Sequence, residues 1–147
     1  MIWQLAQLNI ARVRAPLEAA EMADFSNNLA VINALADRSP GFVWRWIAPE
    51  GDCSEERVLG AGMLVNISVW ESLLALREFA YSSAHAEFLR RRREWFHPPG
   101  AASLAMWWVP QGNRPSVDEA GARLAHLRDT GPGPAVFTFR ESFPPPD

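Results

Sequence analysis

A strand, a helix and a second strand follow one another twice along this chain, and that order constrains its fold more than any other feature. Residues 2 to 10 are largely apolar and end at Ala11-Arg12, which reads as a first strand. Pro16 then sets up a helix from Leu17 to about Asp37, in which Met22, Phe25, Leu29, Ile32 and Leu35 recur every three or four residues as one buried stripe. Ser39-Pro40-Gly41 is a breaker, and Phe42 to Ile47 is a β-rich second strand. Pro49 to Arg57 reads as an exposed hairpin loop, and Met63 to Trp70 as a third strand. Glu71-Ser72 opens a long second helix, predicted to run to about Phe96 because Pro98-Pro99-Gly100 cannot continue it. Leu104 to Val109 is the fourth strand.

Two such halves joined by a hairpin give an α+β, ferredoxin-like βαββαβ fold: an antiparallel sheet with both long helices on one face. The opposite face is then bare and apolar, and a second copy of the chain is its simplest cover, so a homodimer is expected. A third helix should follow, with Ser116 as its cap and Glu119 three residues on, running to about Arg128. After it, Gly131-Pro-Gly-Pro134 and Pro144-Pro-Pro146 bracket an extended arm with one short strand, Ala135 to Phe139. The length, 147 residues, suits one domain, with a core of about residues 1–110 and a C-terminal helix and arm over about 111–147.

Composition removes several classes of function. All fourteen basic residues are Arg, so no lysine is present to form a Schiff base. Arg90 to Arg93 form a basic run, but a net charge of −3 argues against nucleic acid as a partner. The single Cys53 can make no internal disulfide, and the chain lacks a multi-Cys zinc pattern, a phosphate-cradling glycine loop and a Gly-x-Ser-x-Gly turn. No apolar run approaches the roughly 18 residues of a membrane span, and no basic stretch precedes the first apolar one. A cytoplasmic protein without membrane contact is expected.

Leu5-Ala6-Gln7-Leu8-Asn9, Ser39-Pro40-Gly41-Phe42-Val43-Trp44, Asn66-Ile67-Ser68-Val69-Trp70-Glu71-Ser72, Ser83-Ala84-His85 and Arg91-Arg92-Arg93-Glu94-Trp95-Phe96 carry a resemblance. Together with Trp107-Trp108-Val109-Pro110 and Phe137-Thr138-Phe139-Arg140, they resemble the bacterial family catalogued as domain of unknown function 3291 over nearly the whole chain. More remotely, the third strand and the helix bearing His85 are similar to the antibiotic-biosynthesis and heme-degrading monooxygenases of the dimeric α/β barrel superfamily. That similarity implies a dimeric α/β barrel and a pocket between helices and sheet to which an Asn, a Trp and a helix His contribute. Asn66, Trp70 and His85 are the positions that match, with Asn9 of the first strand competing for the Asn. In the heme-degrading branch the His ligates iron.

From the residues themselves, a helical turn places Tyr81, His85, Phe88, Arg92 and Trp95 on one stripe facing the sheet. His85 suits a general base, Tyr81 a proton donor or orienting group, and Arg92 the partner of a carboxylate, enolate or phenolate. Asn66, Trp70, Phe88, Trp95 and Trp44 would bind the substrate. The same stripe in a purely structural role is a satisfied polar cluster in the core. Alternation sends Asn66, Ser68 and Trp70 to one face of the third strand and Met63, Val65, Ile67 and Val69 to the other. Which face meets the helices is open: the wholly apolar set would pack well under them, leaving Asn66 and Trp70 in the dimer barrel, while a bulge near Trp70 would return its indole to the helix side. Three functions stand at this point. They are a small-molecule enzyme like the cofactor-independent monooxygenases, with no cofactor; a heme protein with His85 as axial ligand; and a non-catalytic dimer that binds a metabolite.

Overall fold

The computed structural model describes residues 1–147, the side chain of Ser83 excepted. Strands β1 (Trp3–Arg12), β2 (Phe42–Arg45), β3 (Met63–Trp70) and β4 (Leu104–Pro110) form one antiparallel sheet in the order β2-β3-β1-β4. Its helices are α1 (Ala23–Asp37), α2 (Ser54–Leu59), α3 (Leu73–Ala80), α4 (Ser83–Arg90), α5 (Arg92–Trp95) and α6 (Val117–Thr130). This is the α+β, ferredoxin-like arrangement expected of two βαβ halves. Among the described residues no helix is long and apolar enough to cross a membrane.

Local chemistry sets several boundaries where the sequence placed them. Ser72 caps α3, its side chain accepting from the Ala75 amide at 3.1 Å, and Ser116 caps α6 by accepting from the Glu119 amide at 3.1 Å. Three helical segments differ from expectation. The helix expected from Leu17 begins only at Ala23, after a single 3-10 turn at Ala20–Met22. The exposed loop expected up to Arg57 instead enters α2, where Asp52 Oδ1 accepts from the Ser54 amide at 2.7 Å and Glu55 and Glu56 occupy the first turn. The single long helix expected from Glu71 to Phe96 is three pieces, because the backbone leaves the helix at Ser82, which is extended, and turns again at Arg91.

The two faces of the sheet are covered by different elements. Ala6, Leu8, Ile10, Ile67, Val69, Ala105, Trp107 and Val109 lie against Val117, Ala120, Leu124 and Leu127 of α6, with Val58 and Leu59 of α2 packed alongside. Helix α2 approaches α6 over Gly121, where a Cβ would sit 2.3 Å from Val58 Cγ1. The apolar face is therefore covered by the chain's own C-terminal helix. The argument that a bare face demands a second copy does not hold. On the other face, Leu5, Trp70, Met106 and Trp108 pack with Ala36 of α1, with Leu76 and Phe79 of α3, and with Phe137, Phe139 and Phe143 of the C-terminal arm.

That settles the open question of the third strand. The apolar set of β3 does pack under helices, but under α2 and α6, while Asn66, Ser68 and Trp70 face the layer that holds α1 and α3. The bulge lies in β2, opposite this end of β3: Phe42 pairs with Trp70 and Trp44 with Val69, so Val43 is the extra residue. The change of phase puts Phe42 on the helix side and Trp44 on the α6 side.

The arm closes the outer edge of β4. Met106 and Phe137 exchange backbone hydrogen bonds at 2.9 and 2.8 Å, and Trp108 Nε1 donates to the Phe143 carbonyl at 2.8 Å. An unpaired strand edge is thereby covered, and residues 138–142 are held between two anchors.

Candidate functional site

On the face beneath α1 and α3, the register lays side chains in rows across the strands. Phe42, Trp70, Leu5 and Trp108 form an apolar row. The Trp70 indole stacks on Phe79 at 5.4 Å and meets the Phe42 ring edge-on at 5.3 Å. The next row is Arg45, Ser68, Gln7 and Met106. Arg45 is tied to α1 through Asp37 at 2.8 Å and the Asn33 carbonyl at 3.1 Å. Gln7 Nε2 donates to Ser68 Oγ at 2.8 Å and to Asn66 Oδ1, and Trp70 Nε1 donates to the same Ser68 Oγ at 2.9 Å. With Oδ1 engaged, the Asn66 amide is held so that its Nδ2 hydrogens, which reach no protein acceptor among the described residues, remain available.

The third row, Asn66, Asn9 and Leu104, is where the helical cover ends. Asn9 is exposed although it sits on the central strand between buried Leu8 and Ile10. A cleft of 570 Å³ opens beside it, lined by Arg77 and Tyr81, by Leu104, and by Thr138, Phe139 and Arg140 of the arm. Arg77 and Tyr81 are one helical turn apart and share a side of the helix. The guanidinium of Arg77 and the ring of Tyr81 each lie 5.9 Å from the Phe139 ring. A second cleft, of 470 Å³, is on the opposite side of the sheet between α2 and α6, lined by Ile10, Val58, Leu59, Met63 and Leu124 among others.

The residues expected to share a stripe are dispersed by the breaks between α3, α4 and α5. Tyr81 ends α3, 64% exposed, and lines the first cleft rather than facing the sheet. Arg92 is exposed on α5 and donates to the Leu89 carbonyl at 2.8 Å, so it does not meet His85 in a pocket. Its neighbour Arg91 turns inward instead, 4.8 Å from the Trp95 ring, and pairs with Asp24 and Glu94. Phe88 and Trp95 pack with Phe25 and Phe96 in an aromatic cluster separate from the Trp70 cluster. Trp44 lies on the other face of the sheet, with Arg114 5.9 Å from its ring. Asn66 and Trp70 do come together, through Ser68 and Gln7.

His85 sits at the start of α4, its Nδ1 2.8 Å from the Ala80 carbonyl and its ring 5.1 Å from Phe79. A carbonyl only accepts, so Nδ1 carries the proton and Nε2 is the basic nitrogen. Burial pushes the imidazole pKa below its ordinary value, against a smaller upward pull from the Ala80 carbonyl, which keeps the ring neutral at pH 7. His85 thus joins α3 to α4 and backs Phe79, which stacks on Trp70. A heme bound through Nε2 needs a flat slot beside it. His85 lines neither cleft, and its ring is packed on Phe79, so its surroundings do not fit a heme. Among the described residues no group of three His, Cys, Asp or Glu side chains is placed to hold a metal ion.

Gln7, Ser68 and Arg77 were not singled out from the sequence as site residues, nor were Leu104, Thr138, Phe139 and Arg140 of the cleft lining. Gln7 alternates with Leu5 and Asn9 on β1, and that alternation was the available signal. Arg77 stands four residues before Tyr81, but Arg140 is brought in by the arm, for which no local pattern exists.

The family described as "Domain of unknown function (DUF3291)" matches residues 4–147. Among solved structures, Rv0793 from Mycobacterium tuberculosis aligns at 16% identity over 77% of this chain and 99% of that one, with a TM-score of 0.51. SnoaB from Streptomyces nogalater, a cofactor-independent oxygenase, aligns at 20% identity over 76% of this chain and 95% of that one, with a TM-score of 0.46. PA3566 from Pseudomonas aeruginosa aligns at 12% identity over 74% and 93%, with a TM-score of 0.48. The likeness to Rv0793 is one of fold. No curated protein matches the sequence.

Proposed function

This chain belongs to the family described as domain of unknown function 3291, and on that footing we propose that it is a small-molecule enzyme acting on a flat aromatic or polyketide-like substrate over Asn9 and Asn66. It does so without a resident cofactor. The observation that carries this reading is the exposure of Asn9 in the middle of the sheet, between buried neighbours on the central strand. A gap in the cover of a central strand leaves amide groups to be met by solvent or a ligand, and the adjoining cleft of 570 Å³ has the size of ordinary small-molecule sites.

The chemistry follows from the donors. Asn66 Nδ2 and the Tyr81 hydroxyl would hydrogen-bond a substrate oxygen as it takes on negative charge, stabilising the enolate or phenolate formed when the substrate's acidic proton passes to water. Such an anion reacts with dioxygen directly: a methylene loses two hydrogens, one oxygen atom becomes the new carbonyl and the other leaves as water. His85 is a positioning residue here, holding Phe79 against Trp70, whose Nε1 engages Ser68 within the network that orients the Asn66 amide. Every group in this site comes from one chain, so a homodimer is not needed to complete it.

Oxygen uptake with an enolisable aromatic ketone such as anthrone tests the reading. Asn66→Ala should lower kcat by about 100-fold, the usual cost of one oxyanion donor, in a protein still folded at the assay temperature. A second reading, a metabolite-binding protein without turnover, is favoured by one observation: none of the residues lining the cleft has an ordinary pKa near neutrality. Binding of the ketone with no oxygen uptake by the parent protein would select it.

A further inference from the structure

We infer that the ligand of this cleft is an aromatic carboxylate, its carboxylate held between Arg77 and Arg140 and its ring against Phe139; this rests on the cleft being the ligand site. The lining contains two guanidinium groups and no carboxylate. Neither Arg77 nor Arg140 forms an ion pair among the described residues, whereas Arg45, Arg57, Arg90 and Arg91 are each paired with an acid. Acidic residues outnumber basic ones, 17 to 14, yet this cleft gathers two guanidinium groups and no acid.

The placement of Arg140 is built. Phe137, fully buried, is bonded to Met106 on one side of it, and the Phe143 carbonyl is bonded to Trp108 on the other. Phe139 between them is held by contacts with Arg77 and Tyr81. A guanidinium presents a planar fork that matches a carboxylate, and two of them repel one another until an anion arrives. Leu104, Tyr81 and Phe139 supply the apolar and aromatic walls that a ring requires.

Calorimetric titration with 1-naphthoate and its neutral amide, 1-naphthamide, tests the inference. The carboxylate should bind at least about tenfold more tightly than the amide, and added salt should weaken the carboxylate alone. Arg77→Gln and Arg140→Gln should each remove most of that preference while leaving the amide's affinity unchanged. Leu104→Trp, which fills the cleft floor, should block both probes. Equal affinities in the parent, blocked by Leu104→Trp and indifferent to either arginine, would overturn the anion assignment and leave the cleft as an aromatic site. Binding that survives Leu104→Trp, or no binding of either probe at millimolar concentration, would overturn both.

Discussion

The two faces of this sheet each carry a cleft, but they leave different chemistry uncovered. Toward α6, Ala6, Leu8, Ile67, Val69, Ala105, Trp107 and Val109 are buried, and the cleft that opens on this side between α2 and α6 is floored by apolar Ile10 and Met63. Toward α1 and α3, Leu5 and Trp70 are buried as fully, yet two rows away the cover stops, and a hydrogen-bonded run of Gln7, Ser68 and Asn66 leads to open Asn9. One face supplies stability. The other gives up part of its burial to leave polar groups accessible, and that asymmetry, more than any single residue, is the ground for the proposed site.

The comparison can be broken most forcefully on the α6 side. Trp107→Ala removes a fully buried indole between the sheet and α6 and should cost about 3–5 kcal/mol in denaturant unfolding. Affinity for naphthoate, measured below the transition, should be unchanged; a parallel loss of affinity would mean the two faces are not separable. A smaller loss is expected from Ser68→Ala, which strips the shared acceptor from Gln7 Nε2 and Trp70 Nε1 and should cost about 1–3 kcal/mol. Here turnover should fall as well, since the Asn66 amide loses part of its support.

The smallest effect is the pH response of His85. Burial holds its folded-state pKa below the unfolded value, so the unfolded chain binds the extra proton first. The contribution is therefore fully present above about pH 6.5 and is lost as the pH falls from there through the lowered folded-state value. Melting curves from pH 8 to pH 5 should show that decline, and His85→Gln should flatten it. An unchanged slope in the variant would remove His85 from the account of how Phe79 and Trp70 are held.

The sheet was legible because period-two runs and breakers mark strands without help from the rest of the chain: β1, β3 and β4 start and stop within about two residues of expectation. The cap of α6 was legible for the same reason, since Ser116 and Glu119 act locally. The break between α3 and α4 was not. No glycine or proline marks it, and the only local signal is the cap-forming residue type at Ser82. Reading through it produced a stripe from Tyr81 to Trp95 that the structure divides among three environments. The face of Asn66 was undecided because alternation separates two sets of side chains without saying which helices cover which, and the cover of the apolar set, α6, arrives almost fifty residues after β3. Arg140 was beyond reach for the same physical reason: its place depends on a pairing between Met106 and Phe137.

The central position of β1 also sets an order of events during synthesis. Strand β1 finds one neighbour in residues 63–70 and the other in residues 104–110, both made after it, and the cleft is finished only when residues 137–143 dock on β4. Contacts so distant along the chain close slowly and late. The chain can therefore assemble much of its sheet before the proposed ligand cleft is complete, and binding there would report the docking of residues 137–143.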